Sequence, residues 1–314
     1  MAPSGLRIGV DLGGTKVLGV ALGPDDRILA THRASTPIGG HDIVDTIAAV
    51  VREVSAAVAG EVVSVGVGAA GLVDETGILR FGPNLPGVVD LDLSTLLSAQ
   101  LGSPVAVDND ATCAAVAEHR LGAAQGVSCA VIVAFGTGIG GALVIDGKIR
   151  RGAHHMAGEL GHTVVDPSGP RCGCGNRGCW ERFASGTALG RMARERAASG
   201  DADSLLARVG GELDALDGRV VTAAAAESEP AAVALLDDFA RWIALGLAGL
   251  VNILDPQRIV VGGGLVAEGD LLLDPVRRHL AEMAVGAGHR PEVEVVPATA
   301  GDAAAAVGAA LLAS

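Results

Sequence analysis

His162, Cys172, Cys174 and Cys179 bring four soft or borderline metal donors into one short segment. Three thiols and one imidazole fill a tetrahedral shell, so an ion held there would be a structural zinc with no open catalytic position. Pro167, Gly169, Pro170, Gly173, Gly175 and Gly178 lie among them and suit a tight knuckle rather than a helix or strand. The spacing is not that of a zinc finger. A redox pair and plain loop cysteines are the alternatives the residues leave open. Glu159 and Glu181 flank the cluster. Glutamates are solvated by default, yet a knuckle holds its neighbours rigid, and rigid carboxylates suit recognition of ligand hydroxyls.

A second chemistry lies in three glycine turns. Asp11-Leu12-Gly13-Gly14-Thr15-Lys16 ends an apolar run. Glycines there let successive N–H groups approach a polyanion. Thr15 adds a hydroxyl and Lys16 a charge, while Asp11 suits Mg²⁺, reached through water. A Walker A loop would need Gly-Lys-Ser/Thr before a helix, which is absent. Alone, such a turn is equally compatible with a plain hairpin. Gly136-Thr137-Gly138 and Gly262-Gly263-Gly264 repeat the theme after two further apolar runs. Ligands of open α/β sheets sit at the carboxyl ends of strands, so the first two turns are assigned to nucleotide phosphates and the third to adenosine.

The third chemistry is acid–base. Val107-Asp108-Asn109-Asp110 closes a strand and opens a helix. Asp110 fits two descriptions, a helix N-cap or a general base that takes a proton from a phosphoryl acceptor. A helix N-terminus favours the ionised carboxylate that a base requires.

These residues need a frame. Strands are expected at Leu6–Asp11, Val17–Leu22, 62–66, 105–107, 130–135, 142–145, 258–261 and 293–296. Helices are expected at 42–58, 111–121, 191–198, 230–254 and 271–285, with Ser199–Asp203 and 210–218 as surface loops or a connection. The alternation argues an α/β protein. The strand–glycine turn–strand unit occurs near residues 8–22 and again near 130–146, which predicts a duplicated sheet and a cleft between two lobes, two ordinary hairpins being the alternative. The boundary is placed at 122–126, giving a small lobe over 1–122, completed by a C-terminal helix over 303–314, and a large lobe over 123–302 that carries the zinc segment.

Composition narrows the function. At 314 residues, 49% hydrophobic and 19% charged, the chain can build a sizeable core. A net charge of −13 and the absence of tyrosine argue against a nucleic-acid surface or a base-stacking platform. The apolar stretch Trp242–Leu254 is too short to span a bilayer and carries Asn252. No export signal is visible, and clustered thiols suit a reducing compartment, so a cytoplasmic enzyme without a membrane partner is expected.

The motifs DLGGTK (Asp11–Lys16), PNLPG (Pro83–Gly87), VDNDA (Val107–Ala111), FGTGIGG (Phe135–Gly141), GELGH (Gly158–His162) and CGCGNRGCWE (Cys172–Glu181) stand in this order along nearly the whole chain. In them the chain resembles the ROK family of sugar kinases, particularly its bacterial glucokinases of the actinomycete type. The resemblance implies a two-lobed, actin-like ATPase (ribonuclease H-like) fold and ATP-dependent phosphorylation of glucose at its 6-hydroxyl. It implies Asp110 as the base and Asn84, Asn109, Asp110, Glu159, His162 and Glu181 around the sugar. His162 would place one ring nitrogen on zinc and the other toward a sugar hydroxyl. Family members are usually homodimers or homotetramers. Val88 departs from the pattern, standing where many family glucokinases carry Trp. Another hexose or an N-acetylhexosamine is the alternative substrate. The family also contains sugar-responsive repressors, which carry a DNA-binding segment ahead of the first lobe; with DLGGT beginning at Asp11, that reading is disfavoured.

Overall fold

The computed structural model describes residues 5–265 and 269–313. They divide into two compact units.

The first unit opens with β1 (Leu6–Leu12), β2 (Lys16–Leu22) and β3 (Ile28–Ser35), an antiparallel meander. Seven buried side chains put α1 (Gly40–Ala56) against that sheet, Ile43, Ile47, Val50 and Val54 lying on one face at helical spacing. Next come β4 (Val62–Ala69), a small three-stranded sheet of β5 (Leu72–Val73), β6 (Ile78–Phe81) and β7 (Val89–Asp92), then α2 (Leu93–Leu101), β8 (Val105–Asn109) and α3 (Asp110–Arg120). The five-stranded sheet runs β3-β2-β1-β4-β8, with β1, β4 and β8 parallel.

In the second unit, β9 (Ala130–Phe135) starts a sheet of the same order. It is followed by β10 (Ile139–Ile145), through which the division between the units runs, and by β11 (Lys148–Arg150), which belongs to the first unit. Next are α4 (Glu181–Ala184), α5 (Gly186–Ala198), α6 (Asp203–Arg208), α7 (Gly218–Ala226) and α8 (Pro230–Leu254). Then β12 (Arg258–Gly262), α9 (Asp270–Met283) and β13 (Glu294–Pro297) complete the unit, with β9, β12 and β13 parallel. The sheet order is β11-β10-β9-β12-β13, the repeat of β3-β2-β1-β4-β8. The duplication expected from two strand–turn–strand units is therefore present at the level of whole sheets. Among the described residues no helix is long and apolar enough to cross a membrane.

α10 (Ala304–Leu312) returns to the first unit and packs on α3, β1 and β4. The boundary falls after Gly126, near the expected 122–126, and the return begins at Thr299 rather than 303. Residues 142–158, expected in the large lobe, belong to the first unit. The cause is packing: Ile149 on β11 joins the buried cluster of Val116, Ala117, Val307 and Leu311.

Two local expectations change. The strand expected to start at 142 starts earlier: β10 begins at Ile139, so Gly140 and Gly141 are strand residues. Within the expected loop 210–218, a 3-10 turn covers Leu213–Ala215 and Asp217 caps α7 from its last positions.

Candidate active site and metal centre

The first unit gathers Asp11, Gly13, Gly14, Thr15, Lys16, Asn84, Asn109 and Asp110. Parallel pairing aligns Leu12 with Ala69 and Ala69 with Asn109, so three strands end side by side. Thr36, just past β3, pins the first turn, its hydroxyl donating to Gly13 O at 2.7 Å. The PNLPG segment lies against the same turn, since a Cβ on Gly14 would stand 2.7 Å from Asn84 O. Asn84, Thr15 and Lys16 are exposed.

Asp110 is not the helix cap. Asn109 caps α3, its side-chain oxygen accepting from Thr112 N at 3.0 Å. Asn109 Nδ2 donates to Gly71 O (3.0 Å) and to Asp110 Oδ1 (3.1 Å), and Ala111 N donates to the same Oδ1 at 2.8 Å. Burial pushes the Asp110 carboxyl above the usual carboxylate range, outweighing the Ala111 amide and Asn109 bonds that favour its ionised form. The helix start thus fails to keep it at an ordinary pKa. Asp11 is pushed up to about 6, by burial first and by the Asp110 charge second, with Lys16 opposing. A buried carboxylate beside another carboxylate is the donor set a divalent cation relieves, so Asp11 fits Mg²⁺.

The second unit gathers Thr137, Gly138, Glu159, His162, Cys172, Cys174, Cys179, Glu181, Gly262, Gly263 and Gly264. Register sets Ala134 opposite Gly262, which puts the second and third glycine turns beside each other. Gly263 has φ of +88°, and a Cβ there would collide with the backbone of Phe135. The start of α5 holds the second turn: Thr187 Oγ1 donates to Thr137 O at 2.8 Å and Gly186 N to Gly136 O at 2.8 Å.

The donor atoms of His162, Cys172, Cys174 and Cys179 all lie within 4.8 Å of one another. Cys174 Sγ and Cys179 Sγ are 3.6 Å apart, and Cys172 Sγ is 3.6 Å from His162 Nδ1. With Zn–S near 2.3 Å and Zn–N near 2.0 Å, tetrahedral edges come to about 3.8 Å and about 3.5 Å, so the residues fit zinc. The protein alone disfavours ionising Cys172: its thiol is pushed up to about 12, by burial above all, and its hydrogen bond to Glu181 Oε1 (2.9 Å) adds to the shift. A cation reverses that. The other imidazole nitrogen, Nε2, faces Glu159 Oε2 at 3.8 Å, while Glu181 Oε1 lies 3.8 Å from Nδ1. A Cβ on Gly138 would stand 2.7 Å from Glu181 Oε2, so the knuckle and the second glycine turn meet at Glu181.

Trp180 anchors this assembly, a role the sequence reading missed. It is fully buried, donates from Nε1 to Trp242 O at 2.8 Å, and meets Phe135 edge-on at 5.5 Å. Its position next to Cys179 was the available signal. Thr36 and Arg151, which bonds Asp108, were missed too. Thr36 lies just past an unpredicted strand, and Arg151 sits in a loop with no periodicity.

The family model described as "ROK family" matches residues 7–314. The glucokinase of Streptomyces coelicolor is 42% identical over 98% of both chains. That of Thermotoga maritima is 35% identical over 88% of this chain and 87% of its own. A crystal structure of a ROK family glucokinase from Streptomyces griseus in complex with glucose and AMPPNP is 41% identical, with a TM-score of 0.87, covering 98% of this chain and 99% of that one.

Proposed function

The chain belongs to the ROK family, and from that premise we propose that it transfers the γ-phosphoryl group of ATP to the 6-hydroxyl of glucose. The observation that carries the reading is Asp110: Asn109 takes over the capping duty, which leaves a partly buried carboxylate with a raised pKa at the end of β8. A raised pKa strengthens a base, and because the Asn109 and Ala111 bonds both go to Oδ1, Oδ2 is the oxygen that can take a hydroxyl proton.

Catalysis is mostly positioning and charge neutralisation. Asp110 accepts the proton of the 6-hydroxyl as that oxygen bonds to the γ-phosphorus and the bond to ADP breaks. Asn109 holds the base in place through Nδ2. The turns at Gly13–Lys16 and Thr137–Gly138 take the phosphates, with Gly262–Gly264 toward adenosine. Asp11 would hold Mg²⁺, which neutralises phosphate charge when bound. Asn84, Asn109, Glu159, His162 and Glu181 contact the sugar hydroxyls. His162, whose Nδ1 faces the Cys172 thiol, would hold zinc through that nitrogen and leave Nε2 for the sugar. A zinc ion held by His162, Cys172, Cys174 and Cys179 would brace this segment, its four protein donors leaving no open position for the transfer.

A coupled ADP-release assay across hexoses tests this. Glucose is expected to give the highest kcat/KM, ahead of mannose, fructose and N-acetylmannosamine. A clear preference for an N-acetylated hexosamine would replace the substrate, and no sugar-dependent ADP release would end the kinase reading.

A further inference from the structure

Asp108, two residues before the proposed base, is buried and paired with Arg151. Its Oδ2 accepts from Arg151 Nε at 2.6 Å, and its Oδ1 accepts from the Asn109 main-chain N–H at 2.8 Å. Asn109 in turn donates to Asp110 Oδ1 at 3.1 Å and caps α3 through Thr112 N. Arg151, Asp108, Asn109 and Asp110 therefore form one unbroken series of hydrogen bonds, all within the first unit. The Arg151 carbonyl also closes its own loop, accepting from Ala157 N at 2.9 Å just before the GELGH segment.

We propose that Arg151 is a positioning residue for phosphoryl transfer, orienting the Asp110 carboxylate through Asp108 and Asn109. The inference rests on the kinase reading above for its kinetic arm. Three features favour it over a simple surface ion pair. The pair is mostly shielded from solvent, with side-chain exposures of 24% and 11%. The partner carboxylate spends its second oxygen on the main chain of the residue that holds the base. The guanidinium comes from a distant part of the chain, carried on the segment that follows β11. A cavity of about 170 Å³, lined by Arg151, Asp108, Glu75, His155 and Val67, adjoins the pair and leaves room for a shorter side chain to adjust.

Steady-state kinetics on Arg151→Met, Arg151→Lys, Asp108→Asn and the Met/Asn double variant test the relay. Arg151→Met is expected to lower kcat on the order of tenfold to a hundredfold, the range of a slightly misplaced reacting group, with the KM for ATP within about twofold. Arg151→Lys should recover most of kcat, because one ammonium donor still reaches Asp108. The double variant should be no worse than Asp108→Asn, since the pair acts as one unit. Amide exchange at Asn109, Ala111 and Thr112, read without substrate, should quicken in Arg151→Met and return toward the parent rate in Arg151→Lys. A folded Arg151→Met with kcat within about twofold of the parent would overturn the proposal, as would unchanged exchange at those amides. So would a Lys variant no better than Met. Failure of the parent chain to phosphorylate glucose would instead indict the functional reading, and the exchange arm would still judge the relay.

Discussion

The two five-stranded sheets share one strand order but carry different chemistry at their ends. Aligned on the first glycine of each turn, Asp11 of β1 corresponds to Ala134 of β9. The first sheet thus ends in carboxylates, Asp11 and, after β8, Asp110, both with raised pKa values. The second ends in two glycine turns, one of which meets the knuckle at Glu181, and the carboxylates nearest His162 among the proposed site residues are Glu159 and Glu181. A duplicated scaffold therefore need not duplicate function. We read the first unit as the seat of the base and of Mg²⁺, and the second as the source of Glu159, His162 and Glu181 for the sugar, side chains that a zinc ion would hold rigid.

The largest effect that can break this contrast is at the base. Asp110→Asn should lower kcat on the order of 10²–10⁴-fold in the ADP-release assay. Turnover close to the parent would move the chemistry elsewhere. Next comes packing, where one glycine from a turn of each unit should behave differently. Gly263→Ala, at positive φ against Phe135, should cost about 2–4 kcal/mol in urea unfolding. Gly13→Ala has only Lys16 O at 3.4 Å and should cost less than about 1 kcal/mol. Equal costs would erase the distinction.

The smallest effect is the pH response of Asp11. Its folded pKa of about 6 lies above the ordinary 3.8, so the folded state holds the proton more tightly. That contribution is complete below pH 3.8 and is lost as pH rises through about 6. Without Mg²⁺, stability carried by this group should fall on the order of 1–3 kcal/mol over that window. Asp11→Asn should remove the fall, and an unchanged pH dependence would contradict the burial argument.

Much of the frame was legible because it is buried. β9 and α8 were read with the bounds observed, each from its apolar pattern. β3 was missed because it is an exposed outer strand whose sequence ILATHRAS offers no apolar alternation. α2 was missed because only Leu93 and Leu97 among its residues are buried. The four metal donors were legible from residue type alone, and the structure brings them together. The exchange of roles between Asn109 and Asp110 was not, since both types cap helices and only the three-dimensional hydrogen bonds decide which one does. Arg151 was hidden for a similar reason: its partner Asp108 lies far away in sequence.

The division of labour is tested most directly by titrating glucose, in a calorimeter, into Asp110→Asn and Cys172→Ala. We expect the glucose Kd of Asp110→Asn to stay within about threefold of the parent, because a base contributes to the transition state more than to the ground state. Cys172→Ala should bind glucose about 10–100-fold more weakly, the usual scale of losing support around a metal site. Full glucose affinity in zinc-free Cys172→Ala, or its loss in Asp110→Asn alone, would contradict the account.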